Sequence, residues 1–327
     1  MTGGAGYVGS STARHLLSTG HAVVVLDNLS KGHVAAIPSN VLVRGDVADR
    51  ALVGRLLAEH SIEAVIHFAG VIDVGESVRD PGLYYESNVA TPLSLLQAMR
   101  EHNVCRFVFS SSAATYGAPP VVPIVEDSPL EPRNPYGYTK LVVERMLRDF
   151  SHAYGLGHVI LRYFNASGAS SDGAHGEDHR PESHLIPIAL STLLGQRETL
   201  EIYGNDYPTP DGTCVRDYVH VEDLARAHEL ALRGCPDPGD ATPGRIFNVG
   251  TGRGHSVREV IRSVERVTGK QVPYRIADRR EGDPPRLIAS ADRLRHELEW
   301  RPEHTEIDDI VSSAWTWHRE HPDGYAD

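Results

Sequence analysis

Residues Thr2-Gly3-Gly4-Ala5-Gly6-Tyr7-Val8-Gly9 make a glycine-rich turn running into a helical pattern, and this opening restricts the fold more than any other stretch. Gly3 permits a tight turn, Gly6 lets backbone approach a pyrophosphate, and Gly9 allows a helix to pack closely on a strand. The helix N-terminus then offers free N–H groups and positive dipole charge to phosphates. The next apolar run ends in Asp27, where a carboxylate accepts from both hydroxyls of an adenosine ribose and repels a 2′-phosphate. That favours NAD over NADP. The chain begins one residue before Thr2, so the strand that should lead into the loop is expected to be missing from the middle of the sheet.

Short apolar strands alternate with amphipathic helical stretches through the first half. Strands are predicted at Ala22–Asp27, Val41–Arg44, Ala64–Phe68, Arg106–Phe109 and His158–Tyr163. Helices are predicted near Ser10–Ser18, Arg50–His60, Leu83–His102 and Tyr136–Tyr154. This alternation predicts an α/β fold with a doubly wound, Rossmann-like parallel sheet. Continuously apolar strands such as Val23-Val24-Val25-Leu26 fit a sheet covered on both faces. After Gly168 the texture changes to a loop rich in Pro, Gly, Asp and His over Ser170–Ser183. Helical segments follow at Leu185–Leu194, Val221–Leu232, Ser256–Thr268 and Ala291–Glu299. The expected division is an NAD-binding domain at 1–168 and a smaller, mixed α/β substrate domain at 169–327, with the helix near 221–232 packing back onto the first.

The net charge of −12, from 32 basic and 44 acidic residues, argues against a duplex nucleic-acid binder. Cys105, Cys214 and Cys235 have no C-x-x-C spacing, which suits a reduced compartment. No apolar run is long enough for a membrane helix and no leader pattern is present, so a cytoplasmic protein is expected. Of the 32 basic residues only Lys31, Lys140 and Lys270 are lysines.

That scarcity bears on Asn134-Pro135-Tyr136-Gly137-Tyr138-Thr139-Lys140. Pro135 suits a first helical turn, so Tyr136 and Lys140 should share one helix face. A nearby ammonium favours phenolate and is expected to lower the Tyr136 pKa, making it a usable base. Ser110-Ser111-Ser112 follow the predicted strand Arg106–Phe109, at the end where side chains point into the crevice that binds ligands in open α/β sheets. Ser112 can hydrogen-bond a reacting hydroxyl there. Read alone, a serine cluster is more often a polar turn.

Together the glycine loop, the Ser cluster and Tyr-x-x-x-Lys resemble the extended short-chain dehydrogenases/reductases. Further motifs resemble the UDP-galactose (UDP-glucose) 4-epimerases within them. They are His67-Phe68-Ala69-Gly70, Val74-Gly75-Glu76-Ser77, Leu161-Arg162-Tyr163-Phe164-Asn165, Tyr203-Gly204-Asn205-Asp206-Tyr207-Pro208-Thr209, Val215-Arg216-Asp217-Tyr218-Val219-His220 and Arg279-Arg280-Glu281-Gly282-Asp283, with His321-Pro322-Asp323-Gly324-Tyr325 near the end. The resemblance implies an isomerase in which Tyr136 takes the proton from a C4 hydroxyl while the C4 hydride moves to tightly bound NAD. A 4-keto sugar turns over in the pocket and is reduced on its opposite face. By the same resemblance, Gly3, Gly6, Tyr7, Val8, Gly9, Asp27, Asn28, Leu29, Ser30, Lys31 and Gly32 hold the dinucleotide. Asp46, Val47, Phe68, Ala69, Gly70, Ser87, Asn88, Lys140 and Phe164 join them. Ser112, Tyr136, Asn165, His184, Leu185, Tyr203, Arg216, Arg280, Asp283 and Leu287 hold the UDP-sugar, and a homodimer through paired helices is implied.

The chain departs from the best-known pattern at Ile72, where some members place a Lys, and at His184, where some place an Asn. Leu287 is intermediate between the bulky Tyr of members with a narrow sugar preference and the small residues of members accepting N-acetylated sugars. Turnover of UDP-N-acetylglucosamine therefore stays open. A 4,6-dehydratase is disfavoured, because Ser112 is followed by Ala113-Ala114 and not by the acid–base pair that dehydration needs. A net dehydrogenase and a catalytically silent dinucleotide binder are the other readings. Metal is not indicated; His175 and His179, four apart, read as solvated loop histidines.

Overall fold

The computed structural model describes residues 1–240, 244–280 and 282–326. Parallel strands β1 (Val25–Asp27) and β2 (Leu42–Arg44) form one edge of the principal sheet. Its larger part orders β3 (Val65–His67), β4 (Arg106–Ser112), β5 (Gly157–Tyr163) and β9 (Gly244–Val249), again all parallel. The place between β1 and β3 is not empty, contrary to the sequence expectation. Thr2 bridges in parallel to Leu26 on one side and His67 on the other. Its N–H donates to Ile66 O at 3.0 Å and its carbonyl accepts from Phe68 and Ala69, while Leu26 N reaches Met1 O at 2.8 Å. Two residues thus carry the ladder across the centre of the sheet.

Alternate side chains of the strands feed two cores. Phe107, Phe109 and Ile160 pack with Leu57, Leu95, Met99, Val143 and Leu147. These come from helices α2 (Arg50–Glu59), α5 (Thr91–Glu101) and α6 (Pro135–Tyr154). Val108, Val159 and Phe247 face the other way, onto Leu16 of α1 (Tyr7–Ser18) and Leu224 and Ala227 of α8 (Val221–Arg233). Burial on both faces explains the unbroken apolar runs.

The single helix predicted over Leu83–His102 is divided. After α3 (Val74–Arg79) come α4 (Pro81–Tyr85), one wide π turn (Glu86–Ala90) and then α5. Pro92 has no N–H to give the Asn88 carbonyl, and the wider turn closes instead from Thr91 N–H to Glu86 O.

The remaining elements build a third core. Strand β6 (Asn165–Ser167) pairs with β8 (Val215–His220), which also pairs with β10 (Gly254–Ser256) and β12 (Arg286–Leu287). Strand β7 (Leu200–Tyr203) pairs with β11 (Tyr274–Ala277). Helices α7 (Leu185–Leu193), α9 (Val257–Thr268) and α11 (Ile307–Glu320) bury Ile186, Leu190, Val260, Val264, Ile310 and Ala314 together. A short α10 (Asp292–Glu297) adds Leu294 to the core under α8. Neither β9 nor α11 is among the elements predicted from sequence.

Candidate active site

The glycine loop has the shape its residues dictate. Gly3 sits at φ +69°, and a Cβ there would overlap the backbone of Ala69. A Cβ on Gly9 would overlap Gly3 O, whereas one on Gly6 meets nothing nearer than Gly3 O at 3.6 Å. Gly6 therefore leaves its approach clear. Gly6 is the N-cap of α1, no side chain caps it and no acid stands in the first turn. The leading N–H groups of α1 at Tyr7, Val8 and Gly9 lie outside its i→i−4 ladder and face an anion favourably.

Asp27 is buried and braces two loops at once: Oδ2 accepts from Ala5 N at 2.9 Å and Oδ1 from Leu29 N at 2.8 Å. Beyond it Asn28 Nδ2 donates to Asp46 Oδ2 at 3.1 Å, and Asn28 Oδ1 accepts from Ser30 N. Gly32 lies against Ala5, and Val47 is buried nearby under the β2 end. Lys31 Nζ reaches Arg180 O at 3.5 Å, and Tyr7 Oη donates to Gly168 O at 2.6 Å. Asn88 closes the adjoining turn, accepting from Val71 N at 2.9 Å and donating to Val71 O and Thr139 Oγ1. Its neighbour Ser87 is half-buried, and Phe68 packs on the His228 ring at 4.6 Å between centroids. Dinucleotide-type residues Gly3 to Gly9, Asp27 to Gly32, Asp46, Val47, Phe68 to Gly70 and Asn88 thus gather at the C-terminal ends of β1 to β3.

Ser112 ends β4, and its Oγ accepts from Ala114 N at 3.1 Å. Asn134 caps α6 through Gly137 N at 2.9 Å, with Pro135 in the first turn. Gly137 has no room for a side chain, since a Cβ would stand 2.6 Å from Ala114 O. This close contact sets Tyr136 beside Ser112. Lys140 is buried one turn on, its Nζ donating to Ser110 O at 2.9 Å and standing 5.8 Å from the Tyr136 ring centre.

The expected lowering of the Tyr136 pKa is not what the structure shows. Burial raises the phenol above its ordinary value, and the Ser112 hydroxyl only partly opposes it. The ammonium is spent on a backbone carbonyl and the Phe109 face, and burial lowers Lys140 itself to about 8 against the pull of Glu144.

The residues expected on the substrate side are spread over β6, α7, β7, β8, β12 and the segment leading into β12. Asn165 opens β6 directly after Phe164, which packs with Ala113, Tyr116 and Ala289. Leu287 rests on the same cluster and pairs with Arg216 across β12 and β8. Leu287 is thus carried to the end of the strand that holds Ser112. Arg216 donates to Val215 O and Pro284 O at 2.9 Å and pairs with Asp283 at 3.4 Å. Arg280 covers the Tyr203 ring at 3.9 Å, and Tyr203 Oη donates to Glu201 at 2.7 Å. Glu281 of the Arg-Arg-Glu-Gly-Asp motif lies outside the described residues. His184 is the N-cap of α7, followed by Leu185.

Two features escape sequence reasoning. Arg162 and Glu144 form a fully buried pair beside β4, with Ser111 Oγ on Glu144 at 2.6 Å and Tyr116 Oη accepting from Arg162 at 2.9 Å. The Leu161–Asn165 motif holds Arg162, but nothing in spacing points to Glu144. The reading of His175 and His179 as solvated is also overturned: His175 is buried, and His179 is largely covered between Glu177 and Glu182.

Residues 1–250 match the family described as NAD dependent epimerase/dehydratase family. The chain belongs to that family. A UDP-glucose 4-epimerase of Halalkalibacterium halodurans is 51% identical over 326 residues, covering 100% of this chain and 97% of the relative. The corresponding Corynebacterium glutamicum protein is 49% identical, covering 97% and 94%. Among solved structures, the Brucella ovis UDP-glucose 4-epimerase in complex with NAD matches with TM-score 0.92 and 48% identity over 96% of each chain. That of Bifidobacterium longum, with NAD+ and UDP, gives TM-score 0.93 and 40% identity over 99% and 98%. The Rossmann-like α/β architecture of this epimerase/dehydratase family is what the glycine loop and parallel strands lead to.

Proposed function

We propose that this chain interconverts UDP-galactose and UDP-glucose by epimerisation at C4. The observation that carries the reading is the meeting of Ser112, Tyr136 and Lys140 at the end of β4, two sheet positions from Thr2 and the glycine loop that follows it. It is supported by the full-length likeness to proteins of that name. NAD fits the residues present: Gly6 leaves its approach open, the α1 N-terminus is uncapped, and Asp27 stands where a 2′-phosphate would be repelled. Bound NAD supplies a site that accepts a hydride and returns it. Tyr136 takes the C4 hydroxyl proton and gives it back, while Ser112 orients that hydroxyl. The Ser112 hydroxyl partly offsets the burial that disfavours the Tyr136 phenolate, and Lys140 ties α6 to the end of β4 through Ser110 O. Arg216 and Arg280 offer forked donors to the UDP diphosphate.

The test is conversion of UDP-galactose without added NAD. Turnover is expected from the native chain, and Tyr136→Phe should reduce it about 10²- to 10⁴-fold. No turnover even with NAD supplied, or an unchanged Tyr136→Phe rate, would sink the reading. In a parallel assay with UDP-N-acetylglucosamine, turnover comparable to that of the plain sugar would support the wider specificity that the medium-sized Leu287 leaves open, and undetectable conversion would end that extension.

No helix among the described residues is long and apolar enough to cross a membrane. The α4–α5–α6 face leaves Leu83, Tyr85, Leu93, Tyr138 and Tyr154 exposed, which suits pairing with a second copy. Light scattering should give twice the chain mass; a monomer at micromolar concentration would count against it.

A further inference from the structure

The loop between β6 and α7 folds Glu177, His179, Glu182 and His184 onto one point. We propose that these four side chains bind a single divalent transition-metal ion of the zinc class. One donor atom from each, two imidazole nitrogens and two carboxylate oxygens, lies within 4.8 Å of all the others. Both imidazoles turn Nδ1 inward. His184 Nδ1 is 2.8 Å from Glu177 Oε1 and 3.1 Å from Glu182 Oε1. His179 Nδ1 is 3.1 Å from Glu177 Oε1 and 3.7 Å from Glu182 Oε2. Tetrahedral ligands bound at ordinary zinc distances stand about 3.4 Å apart, and these four separations straddle that value. Admitting an ion takes a slight opening of the three shorter pairs and a slight closing of the His179–Glu182 pair.

The donor set decides its class. Calcium and magnesium need six or more oxygens, whereas two imidazoles with two carboxylates suit zinc and its first-row neighbours. Glu177 is buried and the other three are partly covered, so an ion here would be largely shielded from bulk water. No paired-histidine signature announces such a site, because the carboxylates at 177 and 182 interleave with the histidines and only the turn of the loop brings all four together.

The surroundings give the ion a consequence. Asp178 O is 3.1 Å from His33 Nε2, and the His179 ring meets Tyr7 edge-on at 6.2 Å. Trp317 Nε1 donates to Glu177 O at 3.3 Å. His184 stands at the N-cap position of α7, its side chain making no capping bond. Metal would therefore fasten this loop beneath the glycine turn and fix the direction in which His184 faces. Its binding energy would add to the stability of the folded chain.

The plain alternative is a cluster of two imidazolium–carboxylate pairs with no metal. Full-length protein, stripped with a chelator and returned to metal-free buffer, separates the two. Titration with Zn²⁺ by calorimetry, with Co²⁺ absorption as a geometric probe, should show one ion per chain, proton release, and the intense visible bands of a tetrahedral centre. His179→Ala and Glu182→Gln should each weaken binding about tenfold or more. The native chain decides the matter whether or not the variants fold well. Absence of stoichiometric uptake, or uptake that both substitutions leave unchanged, overturns the proposal and leaves the ion-pair cluster.

Discussion

Beside β4, Arg162 grips both oxygens of Glu144, at 2.9 and 2.5 Å, in a place almost closed to water. Removing one partner strands a buried charge, so Glu144→Gln or Arg162→Met should each cost about 3–5 kcal/mol in urea unfolding. The double variant Glu144→Leu/Arg162→Met should lose less than either single change, because no charge is left unpaired. Equal or additive losses would show that Ser111 and Tyr116, and not the charges, hold this position. At this scale the sequence speaks through local chemistry. Tyr136, Lys140 and Asp27 are legible because spacing and side-chain type alone restrict what they can do. The direction of the Tyr136 pKa is not legible, since it depends on burial by elements far along the chain. Glu144 escapes for the same reason: a helical Glu reads as solvent-facing until β5 brings Arg162 to it.

The element that most directly sets the chemistry is α6, whose start touches the turn after β4 at Gly137. Gly137→Ala would push a methyl group against Ala114 O, moving Tyr136 away from Ser112. The expected result is a fall in kcat of about 10²-fold, since small misplacements of reacting groups cost that much. The stability change should stay near 1–3 kcal/mol, typical of overpacking. Unchanged kcat would show that α6 absorbs the strain without moving its first turn. Most elements of the first half follow from pattern, with ends differing by a few residues. Strand β1, for example, is Val25–Asp27 and not the longer Ala22–Asp27. Helix α11 carries a readable signal in Ile307, Ile310, Val311, Ala314 and Trp317 at helical spacing. Strand β9 has none of comparable strength. Its Gly244-Arg245-Ile246-Phe247 start looks like a loop, and only pairing with β5 makes it part of the principal sheet.

Across the whole molecule, burial holds His67, His158, His175, His220 and His228 neutral, lowering them to about 3, 4, 4, 3 and 4. Unfolding releases each to an ordinary imidazole that takes a proton near pH 6.5. Below that pH the unfolded state binds more protons, so stability must fall as pH drops from 6.5 toward 4. Each histidine contributes about 1 kcal/mol to the loss between pH 6.5 and 5.5. His179, raised to about 9 because its bonds to Glu177 and Glu182 outweigh its burial, acts in the opposite sense only above pH 6.5. Urea midpoints should therefore drop steeply across that unit, and a flat profile would mean that these rings reach water in the native state. Asp27 joins the scales, because the carboxylate we assign to the ribose also ties the glycine loop to the turn after β1. Retargeting this scaffold to a phosphorylated dinucleotide would thus demand more than erasing a charge: an engineer who replaces Asp27 must also supply new acceptors for Ala5 N and Leu29 N, or watch both loops drift apart.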